Sequence, residues 1–195
     1  MAKNKKYTVK FRRKRKNRTD YAKRLSLISS RRTRLVIRKQ AKNIIVQFVD
    51  FGEKGDKIII SATSQNLNKF NWEFSKGNMP SAYLTGLLAG VMAKKKGIKS
   101  AILDIGLNVS IKGSLQYAAL KGVLDGGVEV PHSKDVLPDE KRLMGEHIAS
   151  YANELKSKSD ESYKKQFSDY IKKNINVSDI TKQFNAVKTK IMELK

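Results

Sequence analysis

Nine of the ten arginines lie between Arg12 and Arg38, whereas the 31 lysines are spread from Lys3 to Lys195. Lysine suits a hydrated surface, but a planar guanidinium is a rigid fork that grips phosphate in two places and stacks on bases. The first 42 residues hold 18 basic side chains against Asp20 alone, a net of +17 in a chain of +23. A near-neutral body therefore carries a strongly cationic front. Lys10, Arg12, Arg13, Lys14, Arg15, Lys16 and Arg18 repel one another in water, and a polyphosphate would cancel that repulsion while releasing counterions. Tyr7 and Phe11 stand among these cations, where aromatics suit stacking on bases. Arg24, Arg31, Arg32 and Arg34 extend the same chemistry. A solubilising or nuclear-targeting tail is the plainer alternative.

Other chemistries are poorly supplied. The two histidines, His132 and His147, lie in different segments without metal-ligand spacing, and a histidine-centred triad is not expected. No glycine loop has a nucleotide-binding pattern, and no serine sits in a nucleophile elbow. Asp50, Asp104, Asp125 and Asp135 could serve a two-metal nuclease only if folding clustered them. A nonspecific DNA-compacting protein is a further rival, although it would not need a sizeable α/β body. Trp72, the lone tryptophan, either anchors its loop or stacks on a base or partner. His132 either donates to phosphate or finishes a turn, and His147 is expected to make a local structural hydrogen bond.

The elements that must position these groups fall into three parts: a basic extension at 1–18, an α/β body at 19–138 and a helical region at 139–195. Free in solution, residues 1–18 are expected to be disordered, because their charge cannot offset the entropy of ordering. Thr19 or Asp20 can cap a short helix with Ala22, Leu25 and Ile28 on one side and Lys23 and Arg24 facing out. Leu35 to Lys39, Ile44 to Phe51 and Lys57 to Thr63 read as an antiparallel meander, apolar enough to be covered on both faces. A loop from Ser64 to Met79 holds Phe70, Trp72 and Phe74. Pro80 opens a helix whose Gly86 and Gly90 form a notch for close packing on the sheet. A buried strand over Ser100 to Leu107, a helix from about Ser114 to Leu124 and a strand at Val128 to Val130 give a parallel crossover. The expectation is an α/β fold with a mixed sheet and helices packed on it. Beyond Pro138, three amphipathic helices are expected, the last behind a Ser178 cap.

The chain contains no cysteine, which suits a reducing cytosol. Its most apolar stretch, Met79 to Ala93, is too short to cross a bilayer, and no apolar core follows the N-terminal charges as a signal peptide would need. A soluble, intracellular protein is expected.

Six segments in order then become familiar: KNRTDYAKRLSL (Lys16 to Leu27), RLVIR (Arg34 to Arg38), GNMPSAYLTGLLAG (Gly77 to Gly90), LDIGL (Leu103 to Leu107), AALKGVLDGGVEVPH (Ala118 to His132) and PDEKRLMGEHIA (Pro138 to Ala149). Together they resemble the archaeal and eukaryotic type of the large-subunit ribosomal protein that binds 5S rRNA, over about Tyr7 to Tyr151. The resemblance implies a ribonuclease H-like topology without that enzyme's chemistry, and neither a cofactor nor a small-molecule substrate. It implies a place in the central protuberance of the cytoplasmic ribosome, on 5S rRNA and large-subunit rRNA beside the neighbouring 5S-binding ribosomal protein. Its RNA-binding segments correspond here to Lys10 to Arg18, to Thr19, Asp20 and Tyr21 with Arg24, and to Arg31 to Arg34. Members often carry a glycine and a lysine where this chain has Asn17 and Arg18. Residues 153–195 lie outside the resemblance, and are expected to brace against rRNA or a neighbouring protein.

Overall fold

The computed structural model describes residues 8–194; Tyr7 and the first lysines lie outside that range. Sheet order is β3-β2-β1-β4, with β1 (Arg34–Lys39), β2 (Ile44–Gly52), β3 (Gly55–Thr63) and the short β4 (Ile102–Asp104). The first three strands pair antiparallel and β4 lies parallel to β1, so the sheet is mixed. A two-residue turn at Glu53 and Lys54 joins β2 to β3 between the paired Gly52 and Gly55, and Gly55 has a φ of 129°, open only to glycine at low cost.

The chain before the sheet carries two helices. Arg12–Arg15 form a single turn, α1, where disorder was expected, and α2 spans Tyr21–Ser29. Asp20 caps α2, accepting from the amides of Ala22 and Lys23. Its orientation differs from the apolar pattern. Ala22 and Leu25 are exposed, while Tyr21, Arg24, Leu27 and Ile28 are partly covered. Arg24 turns inward because a carboxylate waits for it, as described below.

The long helix α3 (Met79–Lys95) starts behind Asn78, whose side chain accepts from the Ser81 amide, and almost every residue in it is buried. It packs on β2 and β3, while α4 (Leu115–Asp125) packs on β1. The Gly86 and Gly90 notch faces α4, not the sheet. A Cβ on Gly86 would stand 2.0 Å from the Ala119 carbonyl oxygen, and one on Gly122 would stand 2.1 Å from the Tyr83 oxygen. Small residues on both helices mesh there, so the backbones nearly touch.

Coverage on both sheet faces does not hold. Leu35, Ile37, Ile44, Val46 and Phe48 point into the core, but the alternate residues Val36, Ile45 and Gln47 are only partly covered, and Ile58 is 53% exposed. Outward β-branched residues here reflect strand preference, not a second layer. The 100–107 strand is also shorter than expected: Gly106, at φ 66°, turns the chain away. The strand expected at Val128 to Val130 reduces to one parallel bridge, Ser100 with Glu129. Part of the 64–79 loop is a 3₁₀ segment, Ser64–Phe70. Trp72 is buried, with Nε1 donating to the Ser75 carbonyl at 3.3 Å, so it anchors its loop.

After Pro138 come α5 (Glu140–Met144), α6 (Glu146–Lys158), α7 (Asp160–Gln166), α8 (Ser168–Lys172) and α9 (Ile180–Met192). Where three helices were expected there are five, because Gly145 at φ 87° and breaks around Ser159 and Phe167 interrupt the pattern. Ile180, Phe184, Val187 and Ile191 of α9 enter the main core, whereas Ala152, Phe167 and Val177 form a separate small cluster. Ser178 does not cap α9; its hydroxyl donates to Asn153 Oδ1 at 2.8 Å. Among the described residues no helix is long and apolar enough to cross a membrane.

Candidate RNA interface

Period-two alternation puts Arg34, Val36 and Arg38 on the outer face of β1, and α2 reaches toward that face through Arg24 and Lys23. Three arginines and two aspartates form a chain there. Arg24 is bidentate to Asp56, at 2.9 and 2.8 Å. Asp56 Oδ1 is also 2.8 Å from Arg34 NH2. That second contact is off the hydrogen-bonding line, since Arg34 NH2 has no hydrogen-bond partner, so it is charge attraction alone. Arg34 NH1 lies 3.5 Å from Asp104 Oδ2, and Arg38 NH2 lies 2.9 Å from Asp104 Oδ1. Arg38 NH1 donates to the Asp104 carbonyl at 2.6 Å, and the Gly106 amide donates to Asp104 Oδ1 at 2.8 Å. Only Arg34 is sealed in, its side chain 3% exposed against 33% for Arg24 and 38% for Arg38. Burial would push the Asp56 carboxyl up, but the Arg24 hydrogen bonds and the charges of Arg34 and Arg24 together hold it below its ordinary value. The same bond to Asp56 raises Arg24.

Beside this chain of charges lies a groove of about 670 Å³, lined by Arg13, Arg18, Thr19, Asp20, Tyr21 and Lys23 on one side and by Arg38 and the Ile105–Asn108 segment on the other. Arg13 Nε donates to Thr19 Oγ1 at 2.8 Å, and Lys23 Nζ donates to the Gly106 carbonyl at 3.1 Å. Phe11 is 70% exposed but rests on Tyr21, ring centres 5.1 Å apart, which ties the arm to α2.

The expected phosphate-binding residues thus separate into groups. Lys10, Arg12, Arg13, Lys14, Arg15, Lys16, Arg18, Arg31 and Arg32 are exposed. Arg24 and Arg34 are engaged by carboxylates. His132 is exposed on its loop, well along the chain from the arm, and its Nδ1 donates to the Val130 carbonyl at 2.7 Å. A carbonyl only accepts, so Nδ1 carries the proton and Nε2 is left facing outward as an acceptor in the neutral ring. Arg38 and Asp56 were not anticipated and Asp104 was considered only as a nuclease carboxylate, although the spacing of Arg34 and Arg38 in RLVIR was a readable sign that they share a face.

Backbone conformation adds two observations. Asn17 sits at φ 49°, in the left-handed region that asparagine enters more readily than most residues other than glycine. Arg31 sits at φ 53° and is the only non-asparagine, non-glycine residue at positive φ among the described residues. Its amide closes α2 by donating to the Ile28 carbonyl at 2.9 Å. A left-handed arginine costs about 1 kcal/mol, so stability does not explain its side chain. We expect Arg31→Gly to raise stability by up to about 1 kcal/mol in urea unfolding. Loss of one phosphate contact should at the same time weaken polyanion binding about fivefold at physiological salt.

Two of the four carboxylates considered for a nuclease are put to other use. Asp104 holds Arg34 and Arg38. Asp125 accepts from the Tyr83 hydroxyl at 2.8 Å and pairs with Lys121 at 3.1 Å, and burial together with that bond pushes the Tyr83 phenol far up. Among the described residues no three His, Cys, Asp or Glu side chains are grouped to hold a metal ion.

Comparison with known proteins agrees with this basic, α/β design. Residues 5–99 and 89–133 match the family described as ribosomal large subunit proteins 60S L5, and 50S L18. A relative named large ribosomal subunit protein uL18, from Korarchaeum cryptofilum (strain OPF8), is 50% identical over 191 residues, which is 98% of this chain and 97% of its own length. That span takes in the C-terminal helices, which had no visible match. The chain belongs to the uL18-type family of large-subunit ribosomal proteins.

Proposed function

We propose that this protein is a structural constituent of the large ribosomal subunit that binds 5S rRNA and attaches it at the central protuberance of the cytoplasmic ribosome. The observation that carries the reading is the exposed arginine set of the N-terminal third, Arg12, Arg13, Arg15, Arg18, Arg31 and Arg32, of which Arg13 and Arg18 line the groove. Structured RNA displays phosphates at fixed, irregular spacings, and a cationic arm beside a capped helix can follow them. The basic N-terminal extension then clamps and the α/β body presents, with Thr19, Asp20 and Tyr21 fixing the angle between them. Large-subunit rRNA and the neighbouring 5S-binding protein complete the surroundings, and the helical region from 139 braces against them. No catalytic step is needed. The antiparallel β1 to β3 followed by the parallel β4 supports a ribonuclease H-like relationship for the body.

The test is a competition at physiological salt, in which labelled 5S rRNA bound to the protein is challenged with excess tRNA and duplex DNA. Retention of 5S supports the reading. Equal displacement by every competitor rejects it in favour of nonspecific polyanion binding.

Asp56 is a positioning residue in this reading, because it aims Arg24. Charge alone predicts that Asp56→Asn, which removes an anion beside a polyanion site, tightens RNA binding. Aim predicts the reverse, and we expect a several-fold loss with Asp56→Glu restoring much of it, measured by filter binding. Because the folded pKa lies below the ordinary 3.8, the stability Asp56 contributes is complete above that value and fades as pH falls through the folded one.

A further inference from the structure

A second concavity, about 990 Å³, opens between the β1–β2 turn, the 3₁₀ segment, the Trp72–Gly77 loop and the α7–α8 region. It shares no lining residue with the arginine groove, and its composition differs in kind. Among the described residues no arginine lines it. Lys42, Lys76 and Lys173 are nearly balanced by Glu73 and Asp169, while the side-chain amides of Asn43, Gln65, Asn68, Asn71 and Gln166 all border the space.

Some side-chain amides elsewhere are satisfied within the fold. Gln47 Nε2 donates to Ser61 Oγ at 3.1 Å; Gln183 Nε2 donates to the Asn71 carbonyl at 2.8 Å, and Gln183 Oε1 accepts from the Glu73 amide at 3.4 Å. The five bordering side-chain amides have no such partner among the described residues, and all but Asn43 are exposed. At the edge stands Tyr170, whose hydroxyl accepts from the Ser75 amide at 3.0 Å. Its ring packs on Phe74 at 5.6 Å, and Phe74 packs on Trp72 at 5.5 Å. The ring is held before any ligand arrives, so little ordering entropy is left for binding to lose.

A side-chain amide offers a donor and an acceptor side by side without net charge. That pattern matches the edge of a nucleobase and gives phosphate little to grip. Unpaired bases are also what proteins read in structured RNA, by edge hydrogen bonds and stacking. A protein partner would seek apolar surface here, yet Trp72 and Phe74 are 2% and 3% exposed.

We infer that this groove is a second RNA site, taking unpaired nucleotides of rRNA with one base on Tyr170 and its neighbours read by Asn68, Asn71 and Gln166. The inference rests on the ribosomal RNA-binding reading and adds a contact made with bases where the arm makes contacts with phosphates.

The full-length protein carrying Asn68→Ala and Gln166→Ala tests it, since both residues are exposed and melting should be unchanged. Affinity for intact 5S rRNA and for protein-free large-subunit rRNA would be measured across salt concentrations, with chemical footprinting of base edges. We expect about a tenfold loss for one of the two RNAs, an unchanged salt slope, and renewed reactivity at a few unpaired bases. Which RNA is affected identifies the source of the nucleotides. Unchanged affinity and footprint for both RNAs overturn the inference, and if incorporation into subunits then falls, the occupant is a protein. An Arg12→Ala, Arg13→Ala, Arg15→Ala variant separates the two readings. If it loses affinity while the amide variant does not, only this inference fails. If neither variant affects any RNA, the RNA-binding reading itself fails.

Discussion

Gly86→Ala is expected to destabilise the fold by about 3 kcal/mol or more, at the upper end of overpacking costs, and to lower the melting temperature by roughly 10 °C for a chain of this size. The added Cβ would lie 2.0 Å from the Ala119 carbonyl oxygen and 2.8 Å from its carbon. Both are backbone atoms inside α4, so no rotamer can relieve the clash. The helices must move apart, and α3 is packed against the sheet on one side and α9 on another. Separation would also strain the Tyr83 to Asp125 hydrogen bond that joins α3 to α4. Gly97→Ala is the matched comparison: it has positive φ at 78° but nothing within 4 Å of the new Cβ, so only conformational strain of about 1 kcal/mol applies. Calorimetry on the two variants separates crowding from backbone strain. Equal, small shifts would mean that α3 and α4 are free to slide.

Changing Arg12, Arg13 and Arg15 together to alanine is expected to have the largest effect on function. Losing three phosphate contacts should reduce the slope of log K against log salt by about 2 to 3 and weaken 5S rRNA binding about 100-fold at physiological salt. All three side chains are exposed, and α1 buries no residue, so melting should hardly change. Arg13 does more than the others, because its bond to Thr19 fixes the arm against α2. Restoring Arg13 alone should therefore recover more than a third of the lost binding free energy. Filter binding between low and moderate salt measures both quantities, and an unchanged slope would remove the arm from the interface.

Local signals in the chain proved readable where local physics decides the outcome. Asp20 accepts from amides at the start of α2, as a short polar side chain before an apolar run does, and Pro80 stands in the first turn of α3. The three antiparallel strands followed from β-branched runs broken by short polar links. Errors appeared where a partner distant in sequence decides. Nothing near Arg24 reveals Asp56, 32 residues on, so α2 was assigned the wrong inward face. Nothing near Gly86 names Ala119, so the notch was paired with the sheet. In the helical tail, the apolar period persists through breaks at Gly145 and Ser159, because side-chain period and backbone continuity are separate properties.

By itself, the sequence determined the chemistry: guanidinium at the front, no thiol, few histidines, and an α/β alternation able to bury one core. Those are properties of residue type and near-neighbour spacing, which no fold can alter. Tertiary structure alone decided which arginines remain available. Arg34 has the same guanidinium as Arg31, yet one lies 3% exposed beside two carboxylates while the other is held outward in a left-handed turn. Availability depends on charges brought together from β1, β3 and β4, and such long-range meetings leave no trace in local spacing.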